Sequence, residues 1–209
     1  MTNFDQMVQD AKSFYAQLAN NNTKAWWTDH KDTYDTQLKT PAKILLADVA
    51  NHLAATYDTK INTKLFRPHR DVRFSKDKTP YQTHLHMMWT DADRTNGPAW
   101  FFGVSPQYIR IGWGWMGFDK VQIQTWRDAV TLTNLPDVIA ATPGEVSKPE
   151  LKRVPSPFDA DHARGEHLRR KSLAIWANGT DQNVLDQIKA QTLAVKPLHD
   201  ELAPLLSAG

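Results

Sequence analysis

The sequence predicts a single α+β domain in which helices pack around an antiparallel sheet. Its 209 residues suit one large domain, and we expect residues 1–209 to form it. Apolar residues recur at helical spacing in the first quarter and alternate in the middle of the chain. The predicted order is therefore N-terminal helices, a strand-rich middle and a C-terminal helix.

The N-terminal quarter is predicted to be entirely helical. Helical periodicity over residues 4–19 predicts a first amphipathic helix. Asn22 or Thr23 is placed to cap a second helix over about 24–38. The pair Thr40-Pro41 has the pattern of a cap followed by a first-turn proline, so it predicts the start of a third helix.

Extended segments are predicted from about residue 61 onward. Residues 61–74 contain Pro68, which favours an edge strand or an irregular one. Residues 83–89 alternate as a strand does, and the runs 99–104 and 108–115 are joined by a short turn that predicts a hairpin.

The last strand of that hairpin has two different faces. One face carries Ile109, Ile111, Trp113 and Trp115, and the other carries Tyr108, Arg110, Gly112 and Gly114. Alternating glycines predict that a helix, another strand or a ligand approaches the second face closely.

The second half continues with mixed elements. In order, the predictions are a helix over 120–132 capped by Asp119, a short helix from Pro136, an irregular stretch over 145–160, a short helix near 162–170, a strand over 172–177, and a final helix capped by Asp181 and interrupted or kinked at Pro197.

Composition excludes several classes of site. Cysteine is absent, which removes disulfides, thiolate metal sites and cysteine nucleophiles, and it favours a reducing, cytoplasmic location. The first 20 residues lack the apolar core of a secretory signal, and no run approaches the roughly 18 apolar residues of a membrane span. No phosphate-binding glycine loop, serine elbow or zinc-protease motif is found.

Positive charge is concentrated in two segments. Residues 60–81 hold seven basic and two acidic residues, a net of +5, although the whole chain is only +2. Residues 148–171 form a second basic segment with a net charge of +3. Such a mild total charge does not demand a nucleic-acid partner. Guanidinium groups offer a planar fork to carboxylate or phosphate, so the first segment predicts a cleft for a small anion.

The predicted binding residues come from both segments. They are Arg67, Arg70, Arg73, Lys76, Lys78, Tyr81, His84, Lys152 and Arg153. The last two join the site if the segments meet in space. If the protein turns over a substrate, hydrolysis or group transfer on a phosphate compound is expected around His84, Asp71 and Lys78. Asp71 between arginines is more typical of a structural clasp than of a general acid.

Neither a metal nor a cofactor is predicted. His84 and His86 share a strand face, but no third ligand follows at a characteristic spacing. Two other functions stay open beside the anion cleft. Basic residues beside tryptophan and tyrosine are typical of single-strand nucleic-acid binders, and exposed aromatic residues are typical of a protein-interaction domain.

The basic segment also carries a resemblance. Residues 66–81 read Phe-Arg-Pro-His-Arg-Asp-Val-Arg-Phe-Ser-Lys-Asp-Lys-Thr-Pro-Tyr, and this stretch resembles the signature of a mainly bacterial family, the domain of unknown function 2461. Further similar stretches are Asn21-Asn22 to Trp26-Trp27, Gly112-Trp113-Gly114, Leu151-Lys152-Arg153 and Leu168 to Lys171. Gln82 stands where many members have a basic residue. The resemblance implies that the basic segment is the shared feature, and it implies no activity.

Overall fold

The computed structural model describes residues 2–206 and confirms the α+β prediction. The helices are α1 (Phe4–Asn20), α2 (Lys24–Thr33), a π-helix (Tyr34–Lys39), α3 (Thr40–Tyr57), α4 (Lys120–Leu132), α5 (Leu135–Ala141), α6 (Gly165–Leu168), α7 (Val184–Ala194) and α8 (Lys196–Leu206). The strands are β1 (Ile61–Leu65), β2 (Leu85–Asp91), β3 (Ala99–Val104), β4 (Ile109–Trp115), β5 (Glu145–Val146) and β6 (Leu173–Asn178).

The six strands form one antiparallel sheet in the order β1-β2-β3-β4-β6-β5. Strand β1 lies at one edge of the sheet, as Pro68 predicts. It is shorter than the predicted extended segment and ends at Leu65, after which the chain leaves the sheet. The predicted hairpin is β3–β4, in which Val104 pairs with Ile109 across the turn. Within residues 2–206, no helix is both long enough and apolar enough to cross a membrane.

The two faces of the sheet differ in burial. Trp89, Phe102 and Trp113 lie on the core face, where helices α1, α3 and α7 contact the strands. The Trp89 indole donates a hydrogen bond to the Leu46 carbonyl at 2.9 Å, which satisfies its buried N–H. Residues of the opposite face, such as His86 and Phe101, are only half-buried. We call this second surface the open face.

The element that approaches Gly112 and Gly114 closely is a neighbouring strand, one of the three predicted possibilities. A Cβ at Gly112 would lie 2.4 Å from the ring of Trp176 on β6. At Gly114, where φ is +149°, a Cβ would lie 1.9 Å from the Leu173 carbonyl oxygen. Strand β6 is therefore what approaches this side of β4, and the positive φ together with the backbone contact requires glycine at position 114.

The prediction that Thr40-Pro41 marks the start of the third helix is confirmed, since α3 begins at Thr40, but the Thr40 side chain does not cap it. The chain stays helical from α2 to α3. The π-helix between them has hydrogen bonds that span five residues, one more than in an α-helix. The Thr40 N–H donates to the Asp35 carbonyl, and its hydroxyl donates to the same oxygen at 2.8 Å. Pro41 follows in the first turn of α3, where its missing N–H costs little.

The capping predictions had mixed outcomes. Thr23 caps α2, and Asp119 caps α4 in a full capping box with Gln122. The predicted cap at Asp181 is wrong. At the start of α7, the N–H groups of Val184 and of Asn183, which precedes it, donate instead to the Asp5 carboxylate, at 2.9 and 2.8 Å.

Other boundaries also shift. The helix expected near 162–170 is confined to α6, and the stretch expected to be irregular over 145–160 begins with strand β5. The last helical region is divided at Val195, two residues before Pro197, into α7 and α8. A proline in a first turn is compatible with this division.

Candidate functional site

The first basic segment extends the β1–β2 hairpin beyond the sheet as a loop, which we call the basic loop (residues 66–84). Its two arms remain paired near the sheet. Gln82 N–H donates to the Pro68 carbonyl at 2.7 Å, and Arg70 N–H donates to the Pro80 carbonyl at 2.9 Å. We call the arms 66–69 and 81–84 the root and the segment between them (70–80) the tip; the Arg70–Pro80 hydrogen bond marks the start of the tip.

The root is fastened to the N-terminal helices. Tyr81 is buried and stacks on Trp27 with ring centroids 4.4 Å apart and planes 15° apart. The Asn22 side chain donates to the Tyr81 carbonyl at 2.9 Å and accepts from the Tyr81 N–H at 3.1 Å. Asn22, one of the two predicted helix caps, therefore acts as a clasp that satisfies both backbone groups of Tyr81.

The tip uses most of its cations internally. Arg70 Nη1 donates to Asp77 Oδ2 at 2.6 Å and to the Thr79 carbonyl at 3.1 Å. Lys78 Nζ donates to the Val72 carbonyl at 3.0 Å. These bonds satisfy backbone groups that a chain reversal leaves without ladder partners.

Asp71 and Arg73 form a two-point ion pair on the surface of the tip. Arg73 Nε lies 2.9 Å from Asp71 Oδ1, and Nη2 lies 2.7 Å from Oδ2. These hydrogen bonds lower the pKa of the Asp71 carboxyl. A carboxylate held in this way is ionised and is poorly suited to act as a general acid.

A cavity of about 380 Å³ lies between the root and the helix that continues from α2 into α3; we call it the root cavity. Trp27 and Tyr34 contribute aromatic rings to its wall. Its charged lining consists of Lys31, Asp35, Lys39 and Lys43 from the helices and Arg67 from the root.

The helical charges of the root cavity are spaced by four residues. Asp35 is bonded by Lys31 and by Lys39, the latter at 2.8 Å, and these bonds lower the pKa of the Asp35 carboxyl. Burial, and then the charge of Asp35, raises the pKa of Tyr34 to about 12, so its phenol stays protonated at neutral pH.

Two cations that line the root cavity have no partner among residues 2–206. Within residues 2–206, neither Lys43 nor Arg67 has an ion pair or a side-chain hydrogen bond. They come from opposite walls, α3 and the root, and both line the same space. Unpaired cations that face one partly apolar cavity provide a place for an anion.

Of the predicted binding residues, only Arg67 lines the root cavity. Arg70, Arg73 and Lys78 are engaged within the tip, where Lys76 is exposed. Tyr81 lies behind the wall against Trp27. The sequence contained a signal for the missed helical lysines, since positions 31, 35, 39 and 43 carry charged residues at four-residue spacing on one helical face.

The predicted catalytic residues do not come together. Asp71 is bound by Arg73, and Lys78 is bonded to backbone carbonyls of the tip. His84 stacks instead on His86, with ring centroids 3.6 Å apart. In the described part of the chain, no three histidine, aspartate or glutamate side chains are grouped so that they would hold a metal ion.

The two basic segments also stay apart. The basic loop leaves the sheet beside the Leu85–Val104 pair at the β1 edge. The second segment connects β5 to β6 at the other edge, and it enters β6 beside the Trp115–Leu173 pair at the opposite sheet end. Lys152 and Arg153 line a separate cavity with Arg169, so they do not complete a site with Arg67.

The root cavity joins two stretches on which the resemblance rests, the helix start from Asn21 to Trp27 and the segment 66–81. The family model described as "Conserved hypothetical protein (DUF2461)" matches residues 10–205. The chain belongs to this family. A search of curated proteins finds no match. The match spans nearly the whole described chain of this DUF2461 member and includes both walls of the root cavity.

Proposed function

We propose that this DUF2461 protein binds a small anionic ligand, bearing a phosphate or a carboxylate, in the root cavity. The observation that carries the proposal is the position of Lys43 and Arg67. They are unpaired within residues 2–206, they come from opposite walls, and they line one cavity of about 380 Å³. Arg67 supplies a planar fork and Lys43 a compact charge, a combination suited to an oxyanion.

The shape of the cavity favours a small molecule over a nucleic acid. Its volume falls in the range typical of small-ligand sites, and Trp27 and Tyr34 give it an apolar wall. A nucleic-acid groove needs a row of available cations along a backbone track. The tip would not supply that row, because Arg70 and Arg73 are already paired with Asp77 and Asp71.

The proposal concerns binding and does not include turnover. A reaction needs a nucleophile or general base within reach of the bound group. His84, Asp71 and Lys78 are engaged at three different places, and none of them lines the root cavity. A cytoplasmic location and a bacterial origin, both expected from the sequence, belong to the same proposal.

The test is a thermal-shift screen followed by titration calorimetry, with inorganic phosphate, sugar phosphates and dicarboxylates as probes. A bound probe at a hundred times its Kd adds about 2.7 kcal/mol to the free energy of unfolding. Arg67→Gln and Lys43→Gln should each lower the affinity roughly 10-fold, as expected for one charged hydrogen bond.

Arg73→Gln is the matched control, since it removes another exposed guanidinium of the same loop, from the tip. Its affinity for the same probe should stay within about twofold of the parent chain, because an exposed ion pair contributes little. Equal losses in Arg67→Gln and Arg73→Gln would refute the root cavity as the site. Binding only to a single-stranded oligonucleotide, with steep salt dependence, would favour the nucleic-acid alternative instead.

A further inference from the structure

A second cavity lies on the open face of the sheet. It has a volume of about 380 Å³, and its lining residues are His86, Phe101, Tyr108, Arg110, Glu145 and Trp176. We call it the open-face cleft. It shares no residue with the root cavity, so the two can be tested separately.

Two glycines make room for the rings of this cleft. A Cβ at Gly103 would lie 2.8 Å from the Phe101 ring and 2.9 Å from the His86 ring. A Cβ at Gly112 would lie 2.4 Å from the Trp176 ring. The three rings therefore occupy space above the strand backbone that any other side chain at positions 103 and 112 would fill.

The rings hold each other in fixed orientations. Phe101 and Trp176 meet edge to face, with centroids 5.4 Å apart and planes at 81°. His86 stacks on His84 and has its Nε2 2.7 Å from the Tyr108 hydroxyl. Burial, and then the neighbouring His84, lowers the pKa of His86 to about 4, so this ring is neutral at pH 7. A neutral, pre-positioned aromatic wall is suited to stacking a planar ring.

One exchangeable ion pair borders this aromatic wall. Arg110 Nη1 lies 3.2 Å from Glu145 Oε2, and the Glu145 side chain is 69% exposed. An exposed pair of this kind is weak, so a ligand anion can replace the carboxylate on the guanidinium. Arg110 lies next to Gly103 in the β3–β4 register, which places its charge beside the rings.

We propose that the open-face cleft binds a small molecule that combines a planar aromatic ring with an anionic group. The ring packs against Trp176 and Phe101, and the anion takes the place of Glu145 on Arg110. Stacking a ring on an aromatic side chain and bonding an anion to arginine are separate contributions, so a ligand that has both binds more tightly than either half.

The probes separate these two contributions. Adenosine monophosphate and indole-3-acetate carry a ring and an anion, adenosine and indole carry the ring alone, and inorganic phosphate carries the anion alone. The indole N–H resonance of Trp176 in ¹⁵N-labelled protein, assigned with Trp176→Phe, reports binding at this site. At least one of the two complete probes should shift that resonance and bind roughly 10-fold more tightly than its ring-only partner.

Two variants locate the interactions. Arg110→Gln is a surface change and should remove most of the advantage of the complete probe over the ring alone. Trp176→Leu lacks the reporting indole, so its affinity is measured by titration calorimetry; it should fall roughly 5-fold or more through lost stacking. Arg67→Gln, in the root cavity, should leave the Trp176 shift and the affinity measured from it unchanged, whatever the outcome for the first site.

Three outcomes would overturn the proposal. The first is no shift of the Trp176 resonance with either complete probe at millimolar concentration. The second is equal affinity for a complete probe and its ring-only partner, which would leave Arg110 without a role. The third is far tighter, steeply salt-dependent binding of a single-stranded oligonucleotide, which would make the open face a nucleic-acid surface.

Discussion

The root and the tip of the basic loop carry similar charges but use them differently. At the tip, Arg70, Arg73 and Lys78 bond to carboxylates and carbonyls of the same loop. At the root, Arg67 has no such partner within residues 2–206 and faces the root cavity beside Lys43. Local net charge therefore does not measure the charge available to a ligand.

The cause of the difference lies in the backbone. Root residues pair across the two arms, as in the Gln82–Pro68 hydrogen bond, so several of their backbone groups are already satisfied. The tip reverses direction without a ladder, and it contains the two carboxylates of the loop, Asp71 and Asp77. Its cations are therefore needed to hold the turn together.

The largest predicted effect is on the free energy of unfolding, which should depend on contacts of the root and hardly on those of the tip. Trp27→Ala removes the ring on which Tyr81 stacks, and it should lower the free energy of unfolding by about 3–5 kcal/mol. Phe74→Ala, at a tip residue that is 97% exposed, should change it by less than about 0.5 kcal/mol. Urea unfolding of both variants measures this, and similar losses would mean that the tip is not peripheral to the fold.

A smaller effect should come from the clasp between the root and the helices. Asn22→Ala leaves the N–H and carbonyl of Tyr81 without their side-chain partners, and it should cost about 2 kcal/mol. The neighbouring Asn21→Ala is the control. Among residues 2–206 its side chain donates only to the exposed Gln17 carbonyl, so it should cost about 0.5 kcal/mol or less. Equal costs in the two denaturation curves would argue against the clasp.

The smallest predicted effect is the loosening of the tip at low pH. The Thr79 N–H, followed by Arg70 and the Thr79 hydroxyl, lowers the pKa of Asp77 from 3.8 to about 2. A depressed pKa in the folded state stabilises the fold above pH 3.8, and this contribution is lost as the pH falls through about 2. The tip should therefore stay ordered at pH 4 and loosen between about pH 4 and 2.

Carboxyl ¹³C titration of Asp77 measures this midpoint directly. The Asp77→Asn variant should lack the transition, while the pairing of Gln82 with Pro68 at the root should persist through the same range. A midpoint at 3.8 or above would show that Arg70 and Thr79 do not hold the carboxylate.

Sequence reasoning found the elements whose determinants are local. Asp119 stands directly before the helix it caps, and the β3–β4 hairpin is closed by a four-residue connection. It failed where the determinant is distant or unusual. Nothing near position 183 indicates that Asp5 caps α7, and the π-helix keeps Thr40 inside a continuous helical run.

The candidate site follows the same rule. The basic loop was found from its composition, and Arg67 lies in the root cavity. Its partner Lys43 belongs to a helix that is 24 residues earlier in the sequence, and only the packing of α3 against β1 brings the two together. Which cations remain free depends on contacts within the tip, and composition does not specify them.

The Asp5 cap has a consequence for hydrogen exchange. The first amides of a helix normally exchange quickly, because no carbonyl of the same helix accepts from them. In this protein the Asn183 and Val184 amides are bonded to a carboxylate 178 and 179 residues away, so they are released only when α1 separates from α7. Their exchange rates would therefore report the docking of the two ends of the fold, at a position where exchange usually reports only local fraying.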